Sequence, residues 1–528
     1  MNTETEKTTE KTNAEKEVGS VEEFESNFLE YLKKGETKEG LRYALKTVVE
    51  YPDDIALHIC IARLLGSHLS LHEISAMIFQ DVLRREPNNI QIEVELAGAL
   101  IAKGDVVSGC AKFADMMTRY PQYRTELCEW ISKFLIEKGY FQEALDILLQ
   151  WDQQNTTAWL MNITASALLA LNRASEAVSW YDKCLEREPH HLGIIFSRSL
   201  ALLKSGCLKE GFSHYVKRDC VYKLDPFLKN LPDEKLWFLS LPRLGRDDIS
   251  GKRVVLYQEQ GFGDSINFIR FVPSLLERGA DVTLIVPKPL RRLFALSYPK
   301  CHVFDVRDEF VPSAEEKYDY SAPIPDLPFI AGVEKYEDIP SEVPYLRVDE
   351  HDRARYAALL PEGRPKIGLV WAGQMRAEHN AMQTDKRRST TLHDMCEALT
   401  PIDAVLVSLQ LGNPREELSS WGGQKIVDLM GMVKDMADTA ALMESLDLII
   451  SVDTSPLHLA GALGRPVWLV NRYDSCWRWG CEGETSAWYP TLRIFRRHDA
   501  RSFKPVLQEI GKALQQWRLT WKPSTSIK

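Results

Sequence analysis

LDLIISVDTSPLHLAGALGRPVWLV, residues 446–470, is the stretch from which the fold of the C-terminal half can be read. Asp447–Val452 is a short run of branched apolar residues, which suits a strand buried on both faces. The run ends in the polar residues Asp453, Thr454 and Ser455, and a helix reads from Pro456 to Leu463. Pro466–Val470 is the next strand. A strand, a helix and a strand in so few residues form a crossover unit of a parallel sheet.

The same alternation extends in both directions. Helix Met436–Leu446 comes just before it, Lys366–Trp371, Val405–Leu409 and Lys425–Leu429 read as strands, and Leu392–Leu399 reads as a helix. Further upstream, strand Arg253–Tyr257 runs into Gly261-Phe262-Gly263-Asp264 and an amphipathic helix, Ser265–Arg278. Strand Val282–Val286, helix Pro289–Leu296 and strand Val303–Val306 follow. A looser, proline-rich stretch from Pro312 to Pro344 leads to helix Asp349–Leu360. The pattern predicts two Rossmann-like domains in series, 251–360 and 361–517, with a ligand cleft between the carboxyl ends of their sheets.

Before Tyr222 the period changes. Pro52, Pro87, Pro121 and Pro189 lie 35, 34 and 68 residues apart, and 68 is two periods of 34 whose missing stop falls at Gln153-Gln154-Asn155. Small residues stand near a fixed distance before each stop: Gly40, Ala76, Gly109, Ala144 and Ala177, with Gly211 one period further on. Ala97, Ser132 and Ala165 recur earlier in the units, and the unit around Leu64–Ala76 is the least regular. Antiparallel helices pack closely where side chains are small, and a proline ends the second helix of each pair. A helical solenoid is therefore predicted over 20–222, followed by a linker, 223–250, that packs on something. Residues 1–19 read as a solvated tail and 518–528 as another.

At roughly 150 residues per domain, 528 residues suggest three or four domains. A chain 45% hydrophobic, 9% aromatic and 27% charged is not largely disordered. The net charge of -10 argues against a general binder of nucleic acid or anionic membrane. No apolar run approaches the roughly 18 residues of a membrane span. The N-terminus lacks the apolar core of a secretory signal, so a cytoplasmic location is expected. Ten cysteines without a CxxC pair fit reduced thiols, and Cys476 and Cys481 have no matching pair nearby, so no metal site is expected.

Four clusters carry candidate chemistry. Gly261 and Gly263 allow a tight turn and close approach of a ligand, and Asp264 reads either as a helix cap or as a general base for an acceptor hydroxyl. Asp453, Thr454 and Ser455 stand where a strand ends and a helix begins, with His458 one turn in; they read either as a cap with a packed His or as a phosphate site. Trp371-Ala372-Gly373-Gln374 and the basic run Lys386-Arg387-Arg388 read as a loop, either solvated or holding a diphosphate or carboxylate. Trp477-Arg478-Trp479 reads either as packing or as a stacking surface for a base or sugar.

Over 20–222 the period resembles the tetratricopeptide repeat, whose concave faces bind peptides or proteins. VVLYQEQGFGDSINFIRFVPSLLERGADV, KIGLVWAG, VSLQ, DTAALMESLDLIISVDTSPLHLAGALGRPVW and WYPTLRIFR, with EGFSHYVKR before them, resemble one bacterial family over about Ser20–Arg497. Its members are tetratricopeptide-repeat proteins with a C-terminal GT-B glycosyltransferase domain, related to heptosyltransferases and similar to flagellin and other protein O-glycosyltransferases. The resemblance implies an α plus α/β chain, with an acceptor-side domain at 251–360 and a nucleotide-sugar domain at 361–517. It implies an inverting, metal-independent transferase with no resident cofactor. Asp264 would be the base, and Asp453, Thr454, Ser455 and His458 would hold donor phosphate and ribose. One of Lys386, Arg387 and Arg388 would meet the leaving phosphate. Gly261, Gly263, Trp371, Gln374, Gln410 and Trp477 are then the candidate sugar or base contacts. The donor would be a CMP-linked nonulosonic acid or another sugar nucleotide. The acceptor would be Ser/Thr of a protein held by the repeats, with flagellin one candidate. A lipopolysaccharide or other glycan acceptor, and a non-catalytic adaptor with a degenerate transferase domain, are the alternatives.

Overall fold

The computed structural model describes residues 20–150, 157–218, 228, 231–305, 307, 317–376 and 379–522. The expected tail 1–19 and the interrupted stop at 153–155 lie outside them. The chain forms two compact units, one ending at Lys138 and the other beginning at Gly139. The division falls inside the repeats.

In the first unit, helices Val21–Lys33, Thr37–Glu50, Ile55–Leu69, His72–Arg85, Ile90–Ala102, Val106–Arg119 and Arg124–Glu137 pack in sequence order. The repeating prolines explain the period. Helices end at Glu50, Arg85 and Arg119, each two residues before Pro52, Pro87 or Pro121. Two residues after a proline, Asp54 and Asn89 accept hydrogen bonds from Leu57 and Ile92 N–H and start the next helix. The irregular unit lengthens its first helix to 15 residues and turns through Ser70 at φ 55°. Phe24, Phe28, Leu57, Ile61, Leu65 and Phe79 fill the core.

The small positions are contacts between paired helices. A Cβ on Gly109 would lie 2.5 Å from Ile101 Cγ1 and 2.9 Å from the Ala97 carbonyl oxygen. Gly109→Val is expected to destabilise the first unit by about 1–3 kcal/mol through overpacking. A denaturant midpoint unchanged from wild type would show that the helices do not meet there.

The second unit begins with the same kind of repeat. Helices Phe141–Gln150, Ala158–Ala170, Ala174–Arg187, Leu192–Lys204 and Leu208–Tyr215 pack in order, with Thr157 and His191 as caps. They lead to two parallel sheets. The first has order β3-β2-β1-β4, with β1 at Arg253–Tyr257, β2 at Asp281–Val286, β3 at His302–Asp305 and β4 at Tyr320–Pro323. The second has order β10-β9-β8-β5-β6-β7. Its strands are β5 Lys366–Val370, β6 Val405–Ser408, β7 Ile426–Asp428, β8 Leu448–Val452, β9 Val467–Asn471 and β10 Leu492–Arg496. Two parallel Rossmann-like sheets after tetratricopeptide-type repeats give the expected α plus α/β chain.

Two strands differ from the sequence reading. β4 lies inside the proline-rich stretch, at the sheet edge, where its closing Pro323 stands opposite Tyr257 and has no N–H to donate to the ladder. β10 extends the second sheet beyond Val470, the last strand expected. The described part of the expected linker lies on the first sheet: Leu228 and Phe238 pack with Val255 and Ile285, and Leu244 N–H donates to Ser321 O. Helix Lys504–Thr520 runs past 518, where a tail was expected.

The repeats of the second unit pack directly on its α/β part. Phe212 and Tyr215 lie 5.8 and 6.1 Å from the Trp477 ring, and Asn172 Nδ2 donates to Tyr473 O at 2.8 Å. Lys204 is buried in this region with one hydrogen bond from Nζ, to Leu169 O at 3.0 Å. Burial pulls its pKa down to about 8. The folded value is below the unfolded one, so below pH 8 the fold carries the full cost of a buried charge. That cost is relieved as pH rises from 8 towards the unfolded value. Lys204→Met should therefore stabilise the protein at pH 7 by about 2 kcal/mol, net of the lost hydrogen bond, with the gain shrinking above pH 8. Thermal melts at pH 7 and 9.5 read both; a variant less stable at pH 7 contradicts the expectation.

Candidate active site

The carboxyl ends of β1, β5, β6, β8 and β9 surround a cleft of 390 Å³. Each strand contributes through the loop that follows it, which is where open parallel sheets bind ligands.

From the first sheet comes Asp264, in the first turn of helix Phe262–Phe268. Its Oδ2 accepts from Gly261 N–H at 3.0 Å, so it does cap the helix. Its Oδ1 accepts from Arg478 Nη2 at 2.6 Å. Arg478 follows β9, so this ion pair joins the two lobes. Burial draws the Arg478 pKa down, but the Asp264 charge together with Cys476 and Tyr215 raises it overall, and the guanidinium is held charged. Gly263 is where the lobes touch. A Cβ there would lie 2.8 Å from His458 Cδ2.

From the second sheet, Thr454, Ser455 and Pro456 line the cleft at the start of helix Ser455–Ala462. Thr454 does not cap this helix; its hydroxyl donates to Val452 O at 3.2 Å. The positive end of the helix therefore faces the cleft. His458 is buried, stacked on Trp479 at 5.4 Å, with Nδ1 2.9 Å from Tyr489 Oη. Burial, then the charges of Arg478 and Arg270, hold it well below the usual histidine range, so it is neutral at pH 7. Asn267 Nδ2 donates to the same Tyr489 oxygen at 2.9 Å. The assignment that satisfies both has Tyr489 donating to Nδ1, with the His458 proton on Nε2, 4.0 Å from Asp453.

Two arginines complete the wall. Arg388 Nη2 pairs with Asp385 at 2.8 Å and Arg472 Nη1 with Asp474 at 3.6 Å. Yet Arg388 Nε and Arg472 Nε and Nη1 are buried without a hydrogen-bond acceptor. Burial lowers the Arg388 pKa; around Arg472 it is outweighed by the Asp474 and Asp453 charges, which raise it. Buried guanidinium N–H groups left unmatched in a cleft are suited to an anionic ligand.

The structure brings together Gly261, Gly263, Asp264, Gln374, Arg388, Gln410, Asp453, Thr454, Ser455 and His458. Gln410 is spent, however. Its Oε1 accepts from Trp371 and Ala372 N–H, and its Nε2 donates to Ala372 and Leu411 O. It ties two loops together and has no group left for a sugar. Trp371 is fully buried in the core of the second sheet, and Trp477 packs among Phe212, Tyr215, Phe268 and Trp488. Neither lines the cleft. The basic run is not a loop but the last turn of helix His379–Arg388, so its three side chains point in different directions. Lys386 is exposed and outside the cleft, Arg387 pairs with Asp474 at 3.1 Å, and Arg388 faces the cleft. Arg472 was missed, and Arg478 was read only as part of the aromatic segment Trp477–Trp479, although both follow a strand whose end was legible. Among the described residues, two groups gather three metal-ligating side chains, Asp349-His351-Asp352 and His393-Asp394-Glu397; neither lines the cleft. No helix among the described residues is long and apolar enough to cross a membrane.

Residues 415–504 match glycosyltransferase family 9 (heptosyltransferase). Protein FlbA of Caulobacter vibrioides is 28% identical over 344 residues, 61% of this chain and 55% of that protein, so the match spans about half of the relative's length. Among solved structures, a family 9 glycosyl transferase from Veillonella parvula aligns with 51% of this chain and 99% of its own, at 12% identity and TM-score 0.39. A thermophilic TPR protein of Thermus thermophilus aligns with 35% of this chain and 100% of its own, at 20% identity and TM-score 0.25. Helical repeats of the tetratricopeptide type thus precede two parallel α/β sheets, and a segment of the second, residues 415–504, matches glycosyltransferase family 9.

Proposed function

We propose that the chain is a glycosyltransferase that moves a sugar from a nucleotide-activated donor to a Ser/Thr hydroxyl of a protein brought by the repeats. The observation that carries the reading is the cleft itself. A carboxylate on one lobe, Asp264, faces a helix N-terminus and two anion-seeking arginines on the other. The acceptor oxygen attacks the anomeric carbon as the bond to the donor phosphate oxygen breaks. The hydroxyl proton passes to Asp264. The negative charge left on the nucleotide is met by Arg388, Arg472 and the N–H groups at Ser455. A single displacement of this kind inverts the anomeric centre. Neutral His458 offers its Nε2 proton to a phosphate or ribose oxygen.

A glycan acceptor is the second reading, favoured by the heptosyltransferase description of the matching family. Packing of the last repeats on the α/β part favours an acceptor that the repeats present. The donor, a CMP-linked nonulosonic acid or another sugar nucleotide, and a cytoplasmic site of action belong to the same proposal. The test is transfer from ADP-, UDP-, GDP- and CMP-sugars to a protein substrate, flagellin first. Transfer to a lipopolysaccharide core in preference to any protein would favour the second reading. Binding of a client with no sugar nucleotide consumed would leave the adaptor.

A further inference from the structure

The turn that carries Asp264 is gripped from behind by the end of the last repeat. Arg218, fully buried just beyond helix Leu208–Tyr215, forks onto Glu259 with Nε at 2.6 Å and Nη2 at 2.9 Å. Its Nη1 reaches Asp326 Oδ1 at 2.7 Å and Tyr215 O at 3.0 Å. Asp326, which follows β4, has its other oxygen on Arg243 at 2.7 Å. Glu259 is the second residue after β1. The next residue, Gln260, adopts φ 65°, a left-handed conformation that costs a non-glycine residue about 1 kcal/mol and persists only when its surroundings fix it. Its amide meets Tyr215 Oη at 3.0–3.1 Å, and its carbonyl accepts from Gln258 Nε2 at 2.7 Å. Gly261, whose N–H is held by Asp264, comes next. Continuous contacts therefore run from the last repeat through Glu259 and Gln260 to the candidate base.

Glu259 lies one residue from the glycine turn and is a carboxylate, which makes it a rival for the proton. The geometry removes it: both of its oxygens are occupied by one guanidinium, out of the cleft. We infer that Arg218 is a positioning residue, which fixes the Gln258–Asp264 turn so that Asp264 is presented to the acceptor. It follows that the catalytic half cannot be separated from the repeats near residue 222: the helices from Gly139 onward belong to the active unit. For its effect on turnover, this inference rests on the transferase reading; for the order of the turn it does not.

The test uses the full chain with Arg218→Lys, Arg218→Met and the charge-balanced Arg218→Met/Glu259→Gln. Hydrogen exchange is read on peptides covering 258–264 and, as a control, 448–462. Lysine keeps the charge but cannot fork onto one carboxylate while reaching another. In Arg218→Lys and the double variant, exchange at 258–264 should speed up at least tenfold, with 448–462 unchanged. Where wild type transfers a sugar, kcat should fall tenfold or more while the donor KM stays within threefold. Unchanged exchange at 258–264 would overturn the inference, as would unchanged kcat. Collapse of the whole fold in both Arg218→Lys and the double variant would also overturn it, since Arg218 would then hold the unit together rather than the turn. Absence of transfer by wild type would count against the transferase reading, and the exchange arm would still decide this one.

Discussion

Asp264→Asn is expected to leave the protein folded and able to bind its donor, and to slow transfer by roughly 100- to 10,000-fold, the range for removal of a general base. The choice of asparagine matters because Asp264 does two things. One oxygen caps helix Phe262–Phe268 through Gly261 N–H, and the other faces the cleft and Arg478. Asparagine can keep the cap while losing the base; alanine loses both. A rate loss shared by the two variants, with the larger drop in melting temperature for alanine, assigns the effect to proton transfer. A rate within threefold of wild type for Asp264→Asn would remove Asp264 from the chemistry. Arg478 offers a second check. It loses its carboxylate partner in either variant, so the clasp between the lobes weakens equally.

Arg472→Met and Arg388→Met are expected to act in opposite directions on stability and function. Their unmatched buried N–H groups are a cost to the fold, and Asp474 keeps Arg387 as partner when Arg472 is removed. Melting temperature should then hold steady or rise in Arg472→Met. Donor affinity and rate should fall together, by about 100-fold or more for the pair, because guanidinium groups aimed at developing phosphate charge are among the larger contributions to such catalysis. A destabilised Arg472→Met with intact turnover would mean that these arginines serve the fold.

The resemblance already named the architecture, and most strands were legible because parallel strands buried on both faces are continuous apolar runs bounded by turns. β4 was hidden because YSAP has neither the length nor the apolar run of its neighbours. Helix His379–Arg388 was hidden because HNAMQTDKRR has no apolar stripe; buried Asp385, paired with Arg376 and Arg388, holds it instead. In the site, the glycine turn and the Asp453–His458 segment could be read because a strand end and a helix start are local events. The roles of tryptophans could not. Trp371 and Trp477 face inward for reasons set by neighbours more than 40 residues away in sequence, such as Glu417 and Phe212. Gln410 looked available until its four partners were known. The division at Lys138 has no local signal at all, since the period of 34 runs through it.

The central claim, that the cleft holds a nucleotide sugar by its phosphate, is tested most directly by calorimetric titration. ADP, UDP, GDP and CMP, and the corresponding sugar nucleotides, would be titrated into wild type and into Arg388→Met/Arg472→Met. The account predicts that one nucleotide binds the wild type and that the double variant loses at least 100-fold in affinity while remaining folded. Equal binding by the two proteins, or a wild type that binds none of the eight, would contradict it.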